Sequence, residues 1–213
     1  NNYILFCTEK GRCHWLKVYD IPQTSRAAKG KAIINLIQIE SGDKITAFVP
    51  VDTFDDQRNI LMATMNGLVK KTVLSAYGNP RSTGIIAINL EEGDRLIEAR
   101  LTDGQSEVIL ATRLGMAIRF PEGKVRPMGR TATGVNGIKL EEKDEVVGMV
   151  IVRKGVSVLA ICANGYGKRT AVDEYRQTNR GGKGIINIKT TDRNGDVVAI
   201  REVVETDDLI VAT

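Results

Sequence analysis

A candidate phosphate-binding loop lies near the end of the chain. Residues 175–188, with the sequence YRQTNRGGKGIINI, place two arginines and a lysine around a glycine doublet. Cations in such a loop could contact phosphate groups, and glycine allows the backbone to approach them closely. The loop recurs in phase along the chain: RAAKG ends at Gly30, PRSTG at Gly84, RTATG at Gly134 and RGGKG at Gly184. The recurrence indicates a repeated surface loop rather than one catalytic turn.

The residue types that usually perform catalysis are sparse or poorly placed. The single histidine, His14, stands beside Trp15 in a predicted strand, so a nucleophile–histidine arrangement would depend on that residue alone. Its neighbour Cys13 would point to the opposite face of the strand, and no second histidine completes a metal site. The acidic pairs Glu91–Glu92 and Glu141–Glu142 recur in turns and are typical of solvated surface. We therefore predict no catalytic residue, no metal and no cofactor in this chain.

Composition and length are those of a globular protein. The chain has 213 residues, 42% hydrophobic and 26% charged, with a net charge of +4. Cys7, Cys13 and Cys162 form no CxxC pair, and an odd number argues against a disulfide framework, so we expect reduced thiols in the cytoplasm. No apolar run approaches the roughly 20 residues of a membrane span, and no membrane partner is predicted. The strand-like start without Met leads us to expect a fragment of a longer protein.

Four copies of one unit account for nearly the whole chain. Each copy starts with an apolar run that stops at a glycine, at Gly11, Gly67, Gly115 and Gly165. We place the copies at residues 1–57, 58–105, 106–155 and 156–205, and the start of a fifth at 206–213. Repeats of about 40–50 residues are typical of propeller blades. The apolar runs and the turns between them predict about four short strands per copy and no helix, hence one all-β, propeller-like domain.

One isoleucine recurs four residues after each loop glycine. The set comprises Ile34, Ile88, Ile138 and Ile188, and Leu36, Leu90 and Leu140 follow two residues later. A period of two residues is typical of a strand with one buried face. We therefore expect these side chains to lie in the core at equivalent positions of successive blades.

Two positions of the repeat hold a basic residue in most or all of the four copies. The position four residues after the first glycine holds Trp15, Lys71, Arg119 and Arg169, and the glycine loop supplies Arg26, Arg81, Arg130 and Arg180. Acidic turns such as ESGDKI and EEGDRL recur at another phase. Equivalent positions of successive blades form bands, so we expect one basic and one acidic side. A basic band with few aromatic residues and no reading helix suits the phosphate backbone of duplex DNA better than single strands or base readout.

Several stretches resemble the C-terminal domain of the bacterial DNA gyrase A subunit. They are LKVYDIPQTSRAAKGKAIINL, MATMNGLVKKTVLSAYGNPRSTGIIAI, IRFPEGKVRPMGRTATGVNGIKL and NGYGKRTAVDEYRQTNRGGKG. The resemblance implies a six-bladed β-pinwheel, with strands exchanged between neighbouring blades, of which about four blades lie here. It also implies a basic rim that wraps duplex DNA and supports ATP-dependent negative supercoiling. The family's QRRGGKG box is matched only by QTNRGGKG at residues 177–184, so we expect the box itself upstream of Asn1.

Partners and site residues follow from the resemblance and the basic phases together. The implied partners are duplex DNA, the N-terminal part of the same polypeptide and the gyrase B subunit in an A2B2 holoenzyme, at the bacterial chromosome. ATP and Mg²⁺ belong to other parts of that holoenzyme. The predicted DNA-binding residues are Arg12, Arg26, Lys29, Lys31, Lys70, Lys71, Arg81, Arg119, Arg126, Arg130, Lys168, Arg169, Arg176, Arg180 and Lys183.

Three alternatives remain open. The related subunit of topoisomerase IV shares the repeat. A propeller-like scaffold could use a basic rim to bind an acidic protein. A hydrolase could use the acidic pairs, and it would need a central pocket lined by carboxylates.

Overall fold

Strands separated by tight turns make up the described part of the chain. The computed structural model describes residues 2–25 and 27–210. In chain order the strands are β1 (Tyr3–Thr8), β2 (Arg12–Lys17), β3 (Ile45–Val51), β4 (Asn59–Thr64), β5 (Leu68–Val73), β6 (Ile85–Ile86), β7 (Leu96–Thr102), β8 (Glu107–Thr112), β9 (Met116–Pro121), β10 (Val135–Asn136), β11 (Val146–Val152), β12 (Ser157–Cys162), β13 (Gly167–Ala171), β14 (Ile185–Ile186) and β15 (Val197–Val203). Short 3-10 helices span Val18–Asp20, Ile33–Asn35, Leu74–Tyr77, Glu122–Lys124 and Val172–Glu174. No α-helix occurs within the described ranges, and the predicted all-β fold is confirmed.

Each repeat begins with an antiparallel hairpin whose turn ends at a glycine. In the first repeat β1 pairs with β2, and the Gly11 N–H donates to the Thr8 carbonyl at 2.9 Å. The φ angles of the four hairpin glycines are 75° at Gly11, 83° at Gly67, 89° at Gly115 and 82° at Gly165. Only glycine adopts this left-handed region without strain. The turn geometry therefore explains why these glycines mark the repeats.

Neighbouring repeats exchange a short strand. The sheet orders are β3-β1-β2-β6, β10-β5-β4-β7, β11-β8-β9-β14 and β13-β12-β15. In the first three sheets the fourth strand is two residues long and comes from the glycine loop of the following repeat. We call β6, β10 and β14 the exchanged strands, and the contact between a sheet and its exchanged strand a junction. This arrangement confirms the pinwheel type of strand exchange.

The chain divides into two compact units. The first comprises residues 1–104 and 125–135, and the second comprises residues 105–124 and 136–213. In the first unit β3 packs against β7, and in the second β11 packs against β15. Fully buried side chains of the two cores include Leu5, Ile60, Tyr77 and Ile88 in the first unit and Ile109, Ala160 and Ile200 in the second. Each core thus combines side chains from successive repeats.

The recurrent isoleucines differ in burial. Ile88 and Ile138 are buried and Ile188 is partly buried, whereas Ile34 is 66% exposed. The prediction of a buried Ile34 is therefore wrong. Its three counterparts follow exchanged strands that the preceding sheet holds in place. Ile34 instead lies in a 3-10 helix, and none of the described sheets accepts its segment.

Candidate nucleic-acid interface

Exposed cations lie on three glycine loops of the first unit. They are Lys29, Lys31, Arg81 and Arg126. Backbone hydrogen bonds hold two of these loops. The Gly84 N–H donates to the Arg81 carbonyl at 2.9 Å, and the Met128 N–H donates to the Lys71 carbonyl at 2.8 Å. The loops of Arg81 and Arg126 therefore present solvated charges on a backbone that hydrogen bonds hold in place.

The fourth glycine loop lies in the second unit and is held in a similar way. Its exposed predicted cations are Arg176 and Lys183. The Thr178 N–H donates to the Arg119 carbonyl at 2.8 Å, and the Gly181 N–H donates to the Gly137 carbonyl at 2.6 Å. Lys168 and Arg169 are exposed as well, on β13, and Arg169 forms an ion pair with Glu205 at 2.7 Å.

Two of the arginines that recur at the start of the loops, Arg130 and Arg180, hold exchanged strands. In the first unit, Nη1 of Arg130 donates to the Ile86 carbonyl of β6 at 2.8 Å. In the second, Nη1 of Arg180 donates to the Asn136 carbonyl of β10 at 3.0 Å, and its Nε donates to the Lys124 carbonyl at 2.9 Å. Each guanidinium thus satisfies a carbonyl that the preceding repeat leaves open. At these two positions the recurrence of arginine therefore has a structural cause.

The basic position on the second strand has a structural cause too. In the first repeat, Nε1 of Trp15 donates to the Tyr77 carbonyl at 2.9 Å. In the third, Nη1 of Arg119 donates to the Tyr175 carbonyl at 3.1 Å, and its Nε donates to Glu107 at 2.9 Å. Tyr77 and Tyr175 occupy the same place in their repeats. A side-chain donor at this position therefore joins one repeat to the next, whether it is an indole or a guanidinium.

Lys70 is fully buried in the first unit, with 0% of its surface exposed. Its ammonium donates to the Arg130 carbonyl at 2.7 Å and also to the Ala87 carbonyl. Burial, and secondarily the charge of Arg130, lowers the pKa of Lys70 to about 7. Its neighbour Lys71 is buried as well. Both lysines belong to the interior at the junction with β10.

The structure removes three predicted residues from the candidate surface. Lys70 and Lys71 are buried, and Arg119 is largely enclosed by its carbonyl and carboxylate partners. A phosphate could reach these cations only if they gave up internal hydrogen bonds, which is costly for buried charges. Arg12 is half-buried and donates to the Thr83 carbonyl at 2.8 Å. Arg26 lies outside the described residues.

An acidic and a basic phase approach each other at the fourth glycine loop. Lys183 contacts the Glu141 carboxylate at 2.8 Å, and this hydrogen bond lowers the pKa of Glu141 below its usual range. Lys10 and Arg12 lie 3.7 Å and 3.9 Å from Glu40. The expected separation is therefore wrong at Lys183 and Glu141. Because β1 and β3 are neighbours, the acidic turn of the first repeat lies beside its hairpin turn.

The acidic turns also recur for a structural reason. In three repeats an aspartate Oδ1 accepts the backbone N–H of the residue that precedes the hairpin glycine. The pairs are Asp43 with Lys10 at 3.2 Å, Asp94 with Asn66 at 2.9 Å and Asp144 with Leu114 at 2.9 Å. These carboxylates stabilise the tight turn.

Two exposed lysines near the fourth glycine loop, Lys124 and Lys139, are not among the residues predicted from the sequence. The Lys124 carbonyl accepts a hydrogen bond from Arg180, and the Lys139 N–H donates to the Gly182 carbonyl at 2.9 Å. Neither lysine belongs to the two basic phases. The position of Lys139 is basic also at Lys189 but holds asparagine in the first two repeats, which is a weak signal.

Within the described ranges, His14 and the three cysteines are not placed to form a catalytic or metal site. His14 is buried, both its ring nitrogens lack a hydrogen-bond partner, and burial lowers its pKa below the usual range. The three cysteines are buried and free. Across residues 2–25 and 27–210, no group of three His, Cys, Asp or Glu side chains could hold a metal ion. None of the helices described there is long and apolar enough to cross a membrane.

Comparison with known proteins gives the same protein family for all four repeats of the chain. A family model described as DNA gyrase C-terminal domain, beta-propeller, matches residues 2–52, 58–103, 106–153 and 157–203. The DNA gyrase A subunit of Salmonella typhimurium is 48% identical over 210 residues, which cover 99% of this chain and 24% of that protein. The Escherichia coli counterpart is 44% identical over 213 residues, 100% of this chain and 24% of that protein. The chain therefore spans about a quarter of the length of these relatives.

Solved structures with the same fold include both types of topoisomerase domain. The C-terminal domain of DNA topoisomerase IV superimposes with a TM-score of 0.86 and 28% identity, over 95% of this chain and 64% of that one. The DNA gyrase A C-terminal domain gives a TM-score of 0.82 and 25% identity, over 96% and 66%. The matches to the family model cover most of the chain, one match to each repeat. The chain belongs to the family of DNA gyrase C-terminal domains.

Proposed function

We propose that this chain binds duplex DNA through the phosphate backbone and bends it, as a part of a DNA gyrase A subunit. One observation carries the proposal. The glycine loop of every repeat bears at least one exposed cation: Lys29 and Lys31, Arg81, Arg126, then Arg176 and Lys183. Membership of the family of DNA gyrase C-terminal domains supports duplex DNA as the polyanion that these cations bind.

Phosphate contacts suit these loops better than base readout. Arginine and lysine side chains in solvent neutralise phosphates and release counterions, which requires no particular sequence. In the described part of the chain no α-helix is present to enter a major groove. The exposed aromatic side chains of the described residues are Tyr19, Phe48 and Tyr166, which are few for the successive stacking of bases that single strands require.

In the intact holoenzyme the bent duplex would support strand passage. We propose that this chain supplies charge and shape, and that the remaining parts of the gyrase A and B subunits supply the catalytic residues, ATP hydrolysis and Mg²⁺. Bending a duplex costs free energy that contacts on several loops offset. The product in this scheme is negatively supercoiled DNA, and the place of action is the chromosome in the bacterial cytoplasm.

The salt dependence of DNA binding tests the proposal. One cation from each loop is replaced in a single variant: Lys29→Gln, Arg81→Gln, Arg126→Gln and Arg176→Gln. Fluorescence anisotropy with a duplex of random sequence gives the affinity over a series of NaCl concentrations. Since each phosphate contact contributes about 0.9 to the slope of log affinity against log salt, the slope should fall by about 3 to 4.

A matched variant controls for net charge. It changes four exposed cations of the turns between the strands: Lys44→Gln, Arg95→Gln, Lys154→Gln and Arg193→Gln. Its slope should remain close to that of the unchanged chain. Equal losses in both variants would indicate attraction to overall charge only. No binding at low salt by the unchanged chain would contradict the proposal and favour a scaffold for an acidic protein.

Duplex length provides an independent measurement. If bending occurs, a duplex long enough to reach several loops should bind more tightly than one that covers a single loop, because only the longer one gains the additional contacts. Equal affinities for short and long duplexes would mean that DNA contacts one patch without bending.

A further inference from the structure

A buried ammonium lies beneath the glycine loop of the third repeat. Lys70 on β5 is fully buried, and its Nζ donates to the Arg130 carbonyl at 2.7 Å and to the Ala87 carbonyl. Among the described residues no carboxylate forms an ion pair with it, and the groups that act on its pKa by their charge are Arg130 and the Cys7 thiol. The interior of the first unit thus holds a positive charge that has hydrogen-bond acceptors but no counterion, which is costly.

Arg130 brings a second positive charge to the same place. Its Nη1 donates to the Ile86 carbonyl at 2.8 Å, and Lys70 donates to the carbonyl of the next residue. The two cations therefore hold neighbouring carbonyls of one segment, and Lys70 also binds the carbonyl of Arg130 itself. Repulsion between the like charges is the second cause, after burial, that lowers the pKa of Lys70. An anion on Arg130 would offset this repulsion.

Holding the exchanged strand occupies one nitrogen of the Arg130 guanidinium. In the described part of the chain its Nε and Nη2 have no protein partner, and the side chain is partly exposed. Two parallel N–H groups of a guanidinium can bind one phosphate. Arg180, at the same place in the fourth repeat, already uses Nε and Nη1 for the carbonyls of Lys124 and Asn136. Arg130 therefore keeps more donors for a phosphate than its counterpart does.

The repeat does not require a lysine beneath this loop. Lys70 corresponds to His14 in the first repeat and to Ile118 in the third. His14 is buried, and its pKa is lowered by burial and then by the charge of Arg12, which favours the neutral ring. Ile118 is apolar and buried. Since these two junctions form without a buried lysine, the charge of Lys70 is not needed for the strand exchange.

We propose that Arg130 and Lys70 form a phosphate site on the glycine loop of the third repeat. Arg130 contacts the phosphate, and Lys70 is a positioning residue that fixes Arg130 and adds a second positive charge from the interior without touching the ligand. The inference rests on the proposed function and deepens it, because it names a site at which duplex binding is coupled to a proton.

The direction of the coupling follows from the two charges. Lys70 has a pKa of about 7 in the free chain, so it exchanges its proton near neutral pH. A phosphate cancels the repulsion by Arg130 and attracts the ammonium, and both effects raise the pKa. The complex therefore takes up a proton, and binding weakens as the pH rises. For one such proton the affinity should fall by about five- to tenfold between about pH 6 and 8.5.

Duplex affinity over this pH range tests the coupling. Fluorescence anisotropy with a duplex of random sequence at constant salt compares the unchanged chain with Lys70→Met and Arg130→Gln, after circular dichroism has shown that each variant is folded. Both variants should lose the five- to tenfold pH effect (roughly). A purely structural role of Lys70 would instead lower the affinity equally at every pH. Arg130→Gln makes the test without a change in the interior.

Ile118→Ala is the matched control for damage to a junction. It alters the same position of the third repeat, at the junction with β14, without removing a charge. Its pH profile should run parallel to that of the unchanged chain. Loss of the pH effect in Ile118→Ala would mean that any disturbed junction abolishes it, which would overturn the role of Lys70.

The titration of Lys70 can also be measured without DNA. In a chain with isotope-labelled lysine, the Cε signal that titrates near neutral pH belongs to Lys70, because ordinary lysines titrate near pH 10.4 (roughly). Sulfate is the probe, since it keeps its double charge over this range, and sodium chloride at the same ionic strength is the control. Sulfate should raise the pKa of Lys70 in the unchanged chain and have no such effect in Arg130→Gln.

The two measurements separate this proposal from the proposed function. Duplex binding with parallel pH profiles for the unchanged chain and Lys70→Met would overturn the phosphate site and leave the proposed function in place. A sulfate effect without any duplex binding would support the anion site and contradict the proposed function. A sulfate effect that persists in Arg130→Gln would place the anion elsewhere and overturn the assignment to Arg130.

Discussion

The second strands of the second and fourth repeats carry a similar pair of cations in opposite surroundings. GLVKKT in the second repeat and GYGKRT in the fourth align residue by residue. Lys70 and Lys71 are buried on β5, next to the exchanged strand β10, and the Lys70 ammonium donates to a carbonyl of the third repeat. Lys168 and Arg169 are exposed on β13, whose sheet has no exchanged strand among the described residues. The following repeat therefore decides whether these cations are part of the interior or are available to a ligand.

This difference shows that recurrence of a charge has two possible causes in a repeat protein. A cation can recur because a polyanion follows the repeats, or because each repeat must satisfy a carbonyl of its neighbour. Arg119 and Arg130 have the second cause, since both donate to backbone carbonyls. Arg126 and Arg176 are exposed and fit the first. The burial and the hydrogen-bond partners of each arginine distinguish the two groups, whereas its position in the repeat does not.

The largest contrast should come from shortening Lys70 and Lys168 separately. Lys70→Ala leaves a cavity and two carbonyls without their donor, so we expect a loss of about 3–5 kcal/mol in the free energy of unfolding. Lys168→Ala removes a solvated side chain and should leave the stability almost unchanged. Urea denaturation followed by circular dichroism measures both. Similar losses in the two variants would mean that β13 is covered in solution.

The recurrent isoleucines should show a somewhat smaller contrast. Ile88→Ala empties a packed site and should cost about 2–4 kcal/mol. Ile34→Ala should have little effect, because this side chain is largely exposed. The same denaturation experiment decides between these outcomes. A large loss from Ile34→Ala would contradict its exposed position.

The pH dependence of stability should reveal the buried ammonium. The pKa of Lys70 is about 7 in the folded chain against an ordinary value of 10.5, so the unfolded chain binds more protons between these values. Stability therefore rises with pH in this interval. Relative to Lys70→Met, the unchanged chain should gain about 1–2 kcal/mol between about pH 7 and 8.5. Parallel pH profiles for the two proteins would show that Lys70 titrates normally.

The glycine turns of the hairpins and the all-β fold could be predicted because both depend on local patterns. Hairpin glycines such as Gly11 and Gly115 need a left-handed φ in their turn, so their spacing marks each unit directly. The exposed cations Arg81, Arg126 and Arg176 could be predicted as well, since a polar loop rich in glycine lies at the surface. Lys124 and Lys139 were missed because their proximity to the fourth loop results from contacts between repeats.

By itself the sequence determined the repeat, its strands and the loops that carry the exposed charge, because turn residues and a period of two act over a few neighbouring positions. Only the tertiary structure decided which members of a recurrent set are buried. Ile34 and Ile88 occupy the same place in their repeats, as do Lys70 and Lys168, yet one of each pair is exposed and the other is fully buried. The physical reason is that each of the first three sheets is completed by a strand from the following repeat. A side chain at a junction is therefore buried only where the neighbouring repeat is present to cover it.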